Sequence, residues 1–206
     1  MRPQTAWKRS SVLKWNARNV SMHSREALAL ENGAKYRGEQ LTNGGSFKIE
    51  MNVDIVDTEQ EFICGTFEIH NLTDRYELLT TYFEGEIVGN IYPFTMEEYS
   101  MANPDIIHWK LFPEWKGEYV YRKGSYDIKK SNFMYIKIKE LFLLPDPRLK
   151  TIPGASIDGH YYCCYYKNLD CFAGHYYYKN TSNLISQQVL LDRVFSRKSR
   201  SRSFSK

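Results

Sequence analysis

Apolar and polar residues alternate along the chain from residue 46 to about residue 89. The segment SFKIEMNVDIVD shows the alternation most clearly, since alternate side chains of an extended strand point to the same side. Its apolar positions, which we expect on one face, are Phe47, Ile49, Met51, Val53 and Ile55. Polar residues fill the other positions, which is typical of a strand with one buried face. EFICGTFEIH and LLTTYFEGEIVG repeat the pattern after short turns, so a three-strand meander is predicted.

Five more segments in the second half of the chain have the composition of strands. They are EYVYRKG, FMYIKIKELFLL, GHYYCCYYKN, GHYYYKN and SQQVLLD, which bring the total to roughly eight. The chain also has 16 Tyr and 11 Phe, and aromatic side chains favour strands. Roughly eight antiparallel strands favour an all-β fold, a closed lipocalin-like barrel without exposed edges and with room for a ligand. A β-sandwich is the alternative.

Residues 95–118 interrupt this series of strands and predict a short helical insertion. Thr95 begins the motif TMEE, in which it would cap a helix with Glu98 three positions further on. The segment NPDIIHWKLF that follows is expected to add a helical turn or two.

One predicted strand contains an acid where an apolar residue is expected. In FMYIKIKELFLL the residues that would share the inner face are Met134, Ile136, Ile138, Glu140 and Phe142. Lys137 and Lys139 place the other charges of this strand on the outer face. A carboxylate inside an apolar barrel is unfavourable unless a cation neutralises it. The residues alone leave two explanations for Glu140 open, an internal Lys or Arg partner or a cationic ligand.

Charge is distributed unevenly, and this divides the chain into three predicted parts. Residues 1–33 carry a net charge of +4, residues 193–206 carry +6, and the whole chain only +4, so the middle is acidic. We therefore predict a basic, flexible arm at 1–33, a β-barrel domain at 34–192 and a disordered Arg/Ser-rich tail at 193–206. Nucleic acid is not expected to bind the acidic barrel. An RNA-associated protein acting through its two basic ends is the alternative.

The sequence lacks the motifs of most enzymes and metal proteins. Its four Cys form no C-x-x-C pair, and its five His are scattered outside any metal-ligand spacing. We therefore expect no catalytic activity, no metal and no cofactor. There is no apolar run of 18 residues and no secretory leader pattern, so neither a membrane span nor export is expected. The predicted location is the cytoplasm, with the nucleus as a second compartment.

Several longer stretches occur in a characteristic order over about residues 30–192. They are LENGAKYRGEQ, FICGTFEIHNLTDRYELLTTYFEGEIV, YIKIKELFLLP, IPGASIDGHYYCCY and GHYYYKN. Together they resemble the vacuolar import and degradation family, the substrate receptors of the GID (also called CTLH) E3 ubiquitin ligase. The resemblance implies an eight-stranded antiparallel barrel with short helical insertions that binds the free amino terminus of a degron, with Pro preferred first.

The resemblance also implies what surrounds the receptor. It would have no chemistry of its own, would dock on an armadillo-like scaffold subunit, and would deliver substrates to RING subunits for proteasomal degradation. Family members act in the regulation of gluconeogenesis. A carrier of a small apolar ligand remains a further alternative for a barrel of this size.

The family's binding residues can be transferred onto this sequence. Glu140 in KELF and Tyr161 in GASIDGHYY would grip the terminal amine, and Ser156 and Gly154 would shape the adjoining loop. The remaining positions implied by the resemblance are Gln40, the apolar Ile49, Leu72 and Leu79, and, near the carboxyl end, Tyr177 and Gln187. His175 stands as an extra residue after Gly174, so the alignment at Tyr177 can shift by one.

This sequence departs from the family pattern at two pocket positions and at its end. Leu141 replaces the glutamine that usually follows the acid, and Ile157 replaces an aromatic residue, which would alter preferences after the first degron residue. The Arg/Ser tail replaces an end that takes part in docking. Tyr162, Tyr165 and Tyr166 are expected to serve only in strand packing. For Gln40 a surface position before the first clear strand is the alternative.

Overall fold

The computed structural model describes residues 30–42, 44–73, 75–96, 103–117, 126–149, 151–153, 155–157, 159–178 and 186–195. The strands are β1 (Lys35–Thr42), β2 (Gly45–Asp57), β3 (Phe62–Thr73), β4 (Tyr76–Ile87), β5 (Phe133–Leu144), β6 (Thr151–Ile152), β7 (Ala155–Ser156), β8 (Gly159–Tyr166), β9 (Cys171–Tyr178) and β10 (Gln187–Arg193). Helix α1 (Pro104–Trp109) lies between β4 and β5. Most of the predicted basic arm, the segment EYVYRKG, the continuation of the predicted helix at Thr95 and the Arg/Ser tail beyond Phe195 lie outside the described residues.

Eight of the strands close into a barrel in the order β1-β10-β9-β8-β5-β4-β3-β2. Every neighbouring pair is antiparallel, and β1 closes the barrel by pairing with both β2 and β10. The small hairpin of β6 and β7 stands apart, in the connection from β5 to β8. The prediction of a closed, eight-stranded antiparallel barrel is confirmed, and the sandwich is excluded.

One member of the barrel differs from the predicted set. The segment KYRGEQLT, which carries no strong strand pattern, forms β1, whereas the predicted strand EYVYRKG is not described. The residues on the inner face of β1 are Tyr36, Gly38 and Gln40, so this face has only one large apolar side chain. Gly38 is needed here, because a Cβ atom would come within 1.7 Å of the Leu190 carbonyl oxygen. Close backbone packing therefore replaces the hydrophobic alternation that marks the other strands.

Two β-bulges reverse the predicted alternation inside strands. In β2 the register shifts between Val53 and Ile55, which leaves Ile55 48% exposed, and the next residue, Val56, packs on the core instead. In β5 the register shifts opposite Tyr82, so that Phe142 stacks on the Tyr82 ring at 4.9 Å outside the barrel. The expectation that Ile55 and Phe142 face inward is wrong, because one extra residue turns every later side chain to the other face.

Apolar side chains fill the barrel and also cover part of its outside. The interior cluster includes Tyr36, Ile49, Met51, Phe67, Phe83, Ile136, Ile138, Tyr161, Tyr165 and Phe172. A second cluster lies where α1 and its flanking segments cover the outer faces of β5, β8 and β9, and it contains Phe94, Trp109, Tyr135, Tyr162, Tyr166 and Tyr177. Tyr165 packs inside the barrel and Tyr162 and Tyr166 pack outside it, as predicted. Packing is not their only role, however, because each hydroxyl also donates to a carboxylate, that of Asp170, Asp105 and Glu114, respectively. No helix in the described part of the chain is long and apolar enough to cross a membrane.

The barrel end at the β8–β9 turn is closed by a buried charge network. Asp170 is 2% exposed, and the hydroxyls of Tyr36 and Tyr165 each donate to its Oδ1 at 2.8 Å. Arg193 Nη1 lies 3.9 Å from Asp170 Oδ2, and its Nη2 donates to Glu31 Oε1 at 2.7 Å. Glu31, from the predicted arm, and Arg193, from the predicted tail, thus meet at this end of the barrel.

Candidate functional site

The opposite end of the barrel contains a cavity of about 490 Å³. It lies where β3, β5 and β9 end and where β4, β8 and β10 begin, and Ile152 of β6 and Ile157, which follows β7, also line it. Its lining consists of Gln40, Ile69, Leu72, Leu79, Thr81, Glu140, Leu143, Ile152, Ile157, Tyr161, Tyr176, Tyr178 and Gln187. The volume falls within the range of small-ligand pockets.

Glu140 is the one charged side chain among these lining residues, and it is only 3% exposed. The Thr81 hydroxyl on the neighbouring strand β4 donates to Glu140 Oε1 at 2.5 Å. The Tyr161 hydroxyl is also near enough to the carboxyl group to lower its pKa by hydrogen bonding. No ion pair within the described residues includes Glu140. The expected alternative, an internal Lys or Arg partner, is therefore not found in the described part of the chain.

Burial changes the acidity of this carboxyl group. Desolvation raises the pKa of Glu140 to about 7, although the Thr81 hydrogen bond, the charge of Lys139 and the Tyr161 hydroxyl each act to lower it. Lys139 precedes Glu140 in β5 and is half-buried on the outer face, so it does not enter the cavity. A rise of this size corresponds to roughly 3 kcal/mol by which burial disfavours the carboxylate. A cation placed in the cavity would remove much of that penalty.

A polar network faces the acid from β1 and β10. Gln40 Nε2 donates to Gln187 Oε1 at 2.5 Å, and the Tyr161 hydroxyl lies 3.5 Å from Gln40 Oε1. Gln40 is 4% exposed, so the alternative of a surface glutamine is wrong. The Tyr161 hydroxyl therefore stands between the carboxyl group of Glu140 and the amide of Gln40, within reach of both.

The rest of the cavity wall is apolar or aromatic. Leu72 and Leu79 contribute from the β3–β4 end, and Ile157 from the segment before β8. The Tyr161 ring is held by Phe67 at 4.9 Å and by Tyr176 at 4.7 Å between ring centroids. The pocket thus combines one buried acid, a few polar groups and a wall that favours small apolar substituents.

Seven of the residues implied by the resemblance meet in this cavity. They are Gln40, Leu72, Leu79, Glu140, Ile157, Tyr161 and Gln187. Gly154 lies outside the described residues, and Ser156 is described only as part of strand β7, where its backbone pairs with Thr151. Ile49 belongs to the interior cluster but is not a lining residue. Leu141, the extra residue of the β5 bulge, is half-buried and does not line the cavity either.

The structure does not place Tyr177 in the cavity. Its ring packs on His108 at 3.6 Å in the cluster outside the barrel. The neighbours Tyr176 and Tyr178 line the cavity instead, since alternate residues of β9 face inward. The extra residue His175 is the sequence signal for this shift by one position.

Sequence reasoning missed several other lining residues. Thr81 alternates with Leu79 and Phe83 on the inner face of β4, so an inward polar residue was detectable there. Leu143 was hidden by the bulge, because uninterrupted alternation places it outside. Ile69 and Ile152 carry no signal that distinguishes a pocket wall from ordinary core.

Comparisons with known proteins identify the family of this chain. Residues 29–194 match the family described as "Vacuolar import and degradation protein". The "Glucose-induced degradation protein 4 homolog" of Mus musculus is 35% identical over 161 residues, which are 74% of this chain and 72% of that protein. The Saccharomyces cerevisiae "GID complex substrate-recognition subunit 10" is 25% identical over 72% of this chain and 63% of its own length. The Schizosaccharomyces pombe "GID complex substrate-recognition subunit 4" is 26% identical over 81% and 94%, respectively. The chain therefore belongs to the vacuolar import and degradation protein family.

Proposed function

We propose that this protein is a non-catalytic substrate receptor of the GID/CTLH E3 ubiquitin ligase and that its barrel cavity binds the free amino terminus of substrate proteins. The observation that carries the proposal is the state of Glu140, a buried carboxyl group that lines a ligand-sized cavity and belongs to no ion pair within the described residues. An amino-terminal ammonium supplies both the charge and the hydrogen-bond donors that such a group requires.

The surroundings of Glu140 favour proline as the first residue. A prolyl ammonium carries two N–H donors, which match the Glu140 carboxylate and the oxygen of the Tyr161 hydroxyl. The proline ring is compact and apolar, so it suits the walls formed by Leu72, Leu79 and Ile157. Its fixed φ angle also reduces the conformational entropy lost on binding.

The names of the relatives support the receptor role. Two of them are substrate-recognition subunits of the GID complex, and the family match at residues 29–194 covers the whole barrel. Within such a ligase the protein would dock on an armadillo-like scaffold subunit and present substrates to RING subunits for proteasomal degradation. We place this activity in the cytoplasm, with the nucleus as a second compartment.

A carrier of small apolar ligands is the second candidate, because apolar and aromatic side chains dominate the cavity wall. An uncharged ligand would leave the Glu140 carboxylate without compensation, so this candidate explains the wall but not the acid. The RNA-associated alternative depends on the two basic ends of the chain, most of which lie outside the described residues.

Calorimetry with a Pro-first peptide and its amino-acetylated form tests the proposal. The free peptide should bind with an affinity that changes little with added salt, since the contact is buried, and acetylation should weaken binding by roughly thirtyfold or more. Equal affinity for the two forms would favour the apolar carrier. Binding of RNA but of neither peptide, with a steep loss on adding salt, would support the nucleic-acid alternative.

A further inference from the structure

We propose that the cavity binds its cationic ligand only when Glu140 is deprotonated, so that binding releases a proton on the acid side of neutrality, and that Thr81 sets the pH at which this occurs. The inference rests on the proposed function and adds a form of regulation to the same site. Thr81 is a positioning residue in it, because it acts on the ligand through Glu140.

Side chains from several strands surround Glu140. Thr81 reaches it from β4 and Tyr161 from β8, both through hydroxyl groups. Tyr176 faces the cavity from β9, while the amides of Gln40 and Gln187 face it from β1 and β10. The lining residues from β3 are aliphatic. Side chains of these types carry no charge at neutral pH, so within the described lining only Glu140 can change its charge there.

Two side chains next to this site in sequence lie on the outer face of the barrel. Lys139 and His160 are paired across β5 and β8, one position away from Glu140 and Tyr161. Neither lines the cavity. Lys139 acts on Glu140 by its charge, which favours the carboxylate, and burial is the larger opposing effect. His160 offers a control, because histidine is the usual source of pH dependence near neutrality.

Binding of a cationic ligand is coupled to loss of the Glu140 proton. Burial brings the pKa of Glu140 to about 7, so the empty pocket holds a proton for much of the time at and below neutral pH. An ammonium in contact with the carboxylate lowers that pKa, and the proton must leave when the ligand enters. Affinity should therefore fall about tenfold per pH unit well below neutrality.

Thr81 sets the pKa of Glu140 through its hydroxyl group. Its hydroxyl donates to Oε1 at 2.5 Å, and this bond is the largest single effect that favours the charged form of Glu140. Thr81→Val has almost the same shape but no donor, so the pKa of Glu140 should rise further. Binding by this variant should then be weaker than that of the native protein at neutral pH and below, and the difference should disappear as the pH is raised above the new pKa. Thr81→Ser keeps the donor and should behave like the native protein.

Two measurements test the proposal. The first is calorimetry of a Pro-first peptide in buffers of different ionisation enthalpy, whose slope counts the protons exchanged. Close to one proton should be released at about pH 6 and clearly fewer at about pH 7.5. Glu140→Gln should show no release in any binding that remains, whereas His160→Gln should match the native protein. Peptide binding without proton release at about pH 6 would overturn the proposal and leave the proposed function intact.

The second measurement uses the free protein and needs no ligand. Carbon NMR of glutamate carboxyl groups should show one resonance that titrates near pH 7, is absent from Glu140→Gln and shifts upward in Thr81→Val. If the resonance that is missing from Glu140→Gln titrates instead in the ordinary pH range of a glutamate, the proposal is overturned. Failure of every peptide to bind, with this titration present, would instead count against the proposed function.

Discussion

A carboxyl group is buried at each end of the barrel, and the two groups differ in the partners that surround them. At the β8–β9 turn, Asp170 receives two tyrosine hydroxyl bonds and lies 3.9 Å from the Arg193 guanidinium. At the other end, Glu140 is equally buried and faces a cavity of about 490 Å³. Its partners within the described residues are two hydroxyl groups, those of Thr81 and Tyr161. One carboxylate is neutralised inside the protein, whereas the other has space where a cation can bind.

The contrast shows that burial alone does not identify a binding acid. Glu61 is 1% exposed, yet its carboxylate accepts backbone N–H bonds from Asn90, Ile91 and Tyr92 and so holds the loop after β4. A buried acid with structural partners stabilises the fold, while one without a cation or amide donors is unfavourable until a ligand arrives. The following predictions separate the two roles.

Removing the cation at the closed end should have the largest effect. Arg193→Met leaves Asp170 buried without its guanidinium, and the free energy of unfolding should fall by about 3 kcal/mol. Urea denaturation measures the change. Arg37→Met is the matched control, because its ion pair with Glu50 is largely exposed and should contribute less than about 1 kcal/mol. If the two variants lose the same free energy of unfolding, Arg193 does not stabilise the fold by neutralising Asp170.

Glu140 should give the opposite result, with a defined pH dependence. The folded protein holds the Glu140 proton up to about pH 7, whereas the unfolded chain releases it near pH 4.5. The contribution of this group to stability is therefore greatest below pH 4.5, declines as the pH rises to about 7 and is constant above that. As the pH rises from 4.5 to about 7, the free energy of unfolding of Glu140→Gln should therefore increase relative to that of the native protein, by up to roughly 3 kcal/mol.

Denaturation curves of both proteins at a series of pH values measure this difference. A Glu140→Gln variant that loses stability at neutral pH, as Arg193→Met is expected to do, would show that Glu140 has an internal cationic partner.

Smaller effects are expected from the two family departures. Ile157 lines the cavity and Leu141 does not, so only the first should alter which residues are preferred after the amino-terminal one. Ile157→Phe should change the affinity of individual peptides by about 1 kcal/mol, as expected for a modest change in apolar contact, and leave the first-position preference unchanged. Leu141→Gln is the matched control. A peptide array that varies the second to fourth positions measures these preferences. An unchanged binding profile for Ile157→Phe, or a changed profile for Leu141→Gln, would contradict the prediction that only Ile157 contacts the later peptide residues.

Strand alternation predicted roughly eight antiparallel strands, favoured a barrel over a sandwich and singled out Glu140, because an inward acid violates the pattern of β5. Alternation did not predict the direction of side chains correctly where the backbone departs from regular strand pairing. The bulges in β2 and β5 move Ile55 and Phe142 outward, and no single residue type announces a bulge. Strand β1 escaped detection because Gly38 and Gln40 occupy inner positions where apolar residues are normally found.

The pocket was predictable mainly where the resemblance supplied aligned motifs. Alternation cannot tell a wall residue such as Leu79 from ordinary core, since both face inward. It also cannot bring residues from distant strands together, as in the contact of Gln40 with Gln187. At Tyr177 an extra residue displaced the alignment by one position, which in a strand is enough to exchange the inside for the outside.

The central claim is that Glu140 receives an amino-terminal ammonium. A thermodynamic cycle tests it most directly, with a Pro-first peptide and its acetylated form measured by calorimetry against the native protein and Glu140→Gln at about pH 7.5. We predict a coupling of on the order of 2–5 kcal/mol, so that the native protein loses thirtyfold or more in affinity on acetylation of the peptide. The variant should bind both peptides weakly and nearly alike. Full discrimination between free and acetylated peptides by Glu140→Gln would contradict the claim.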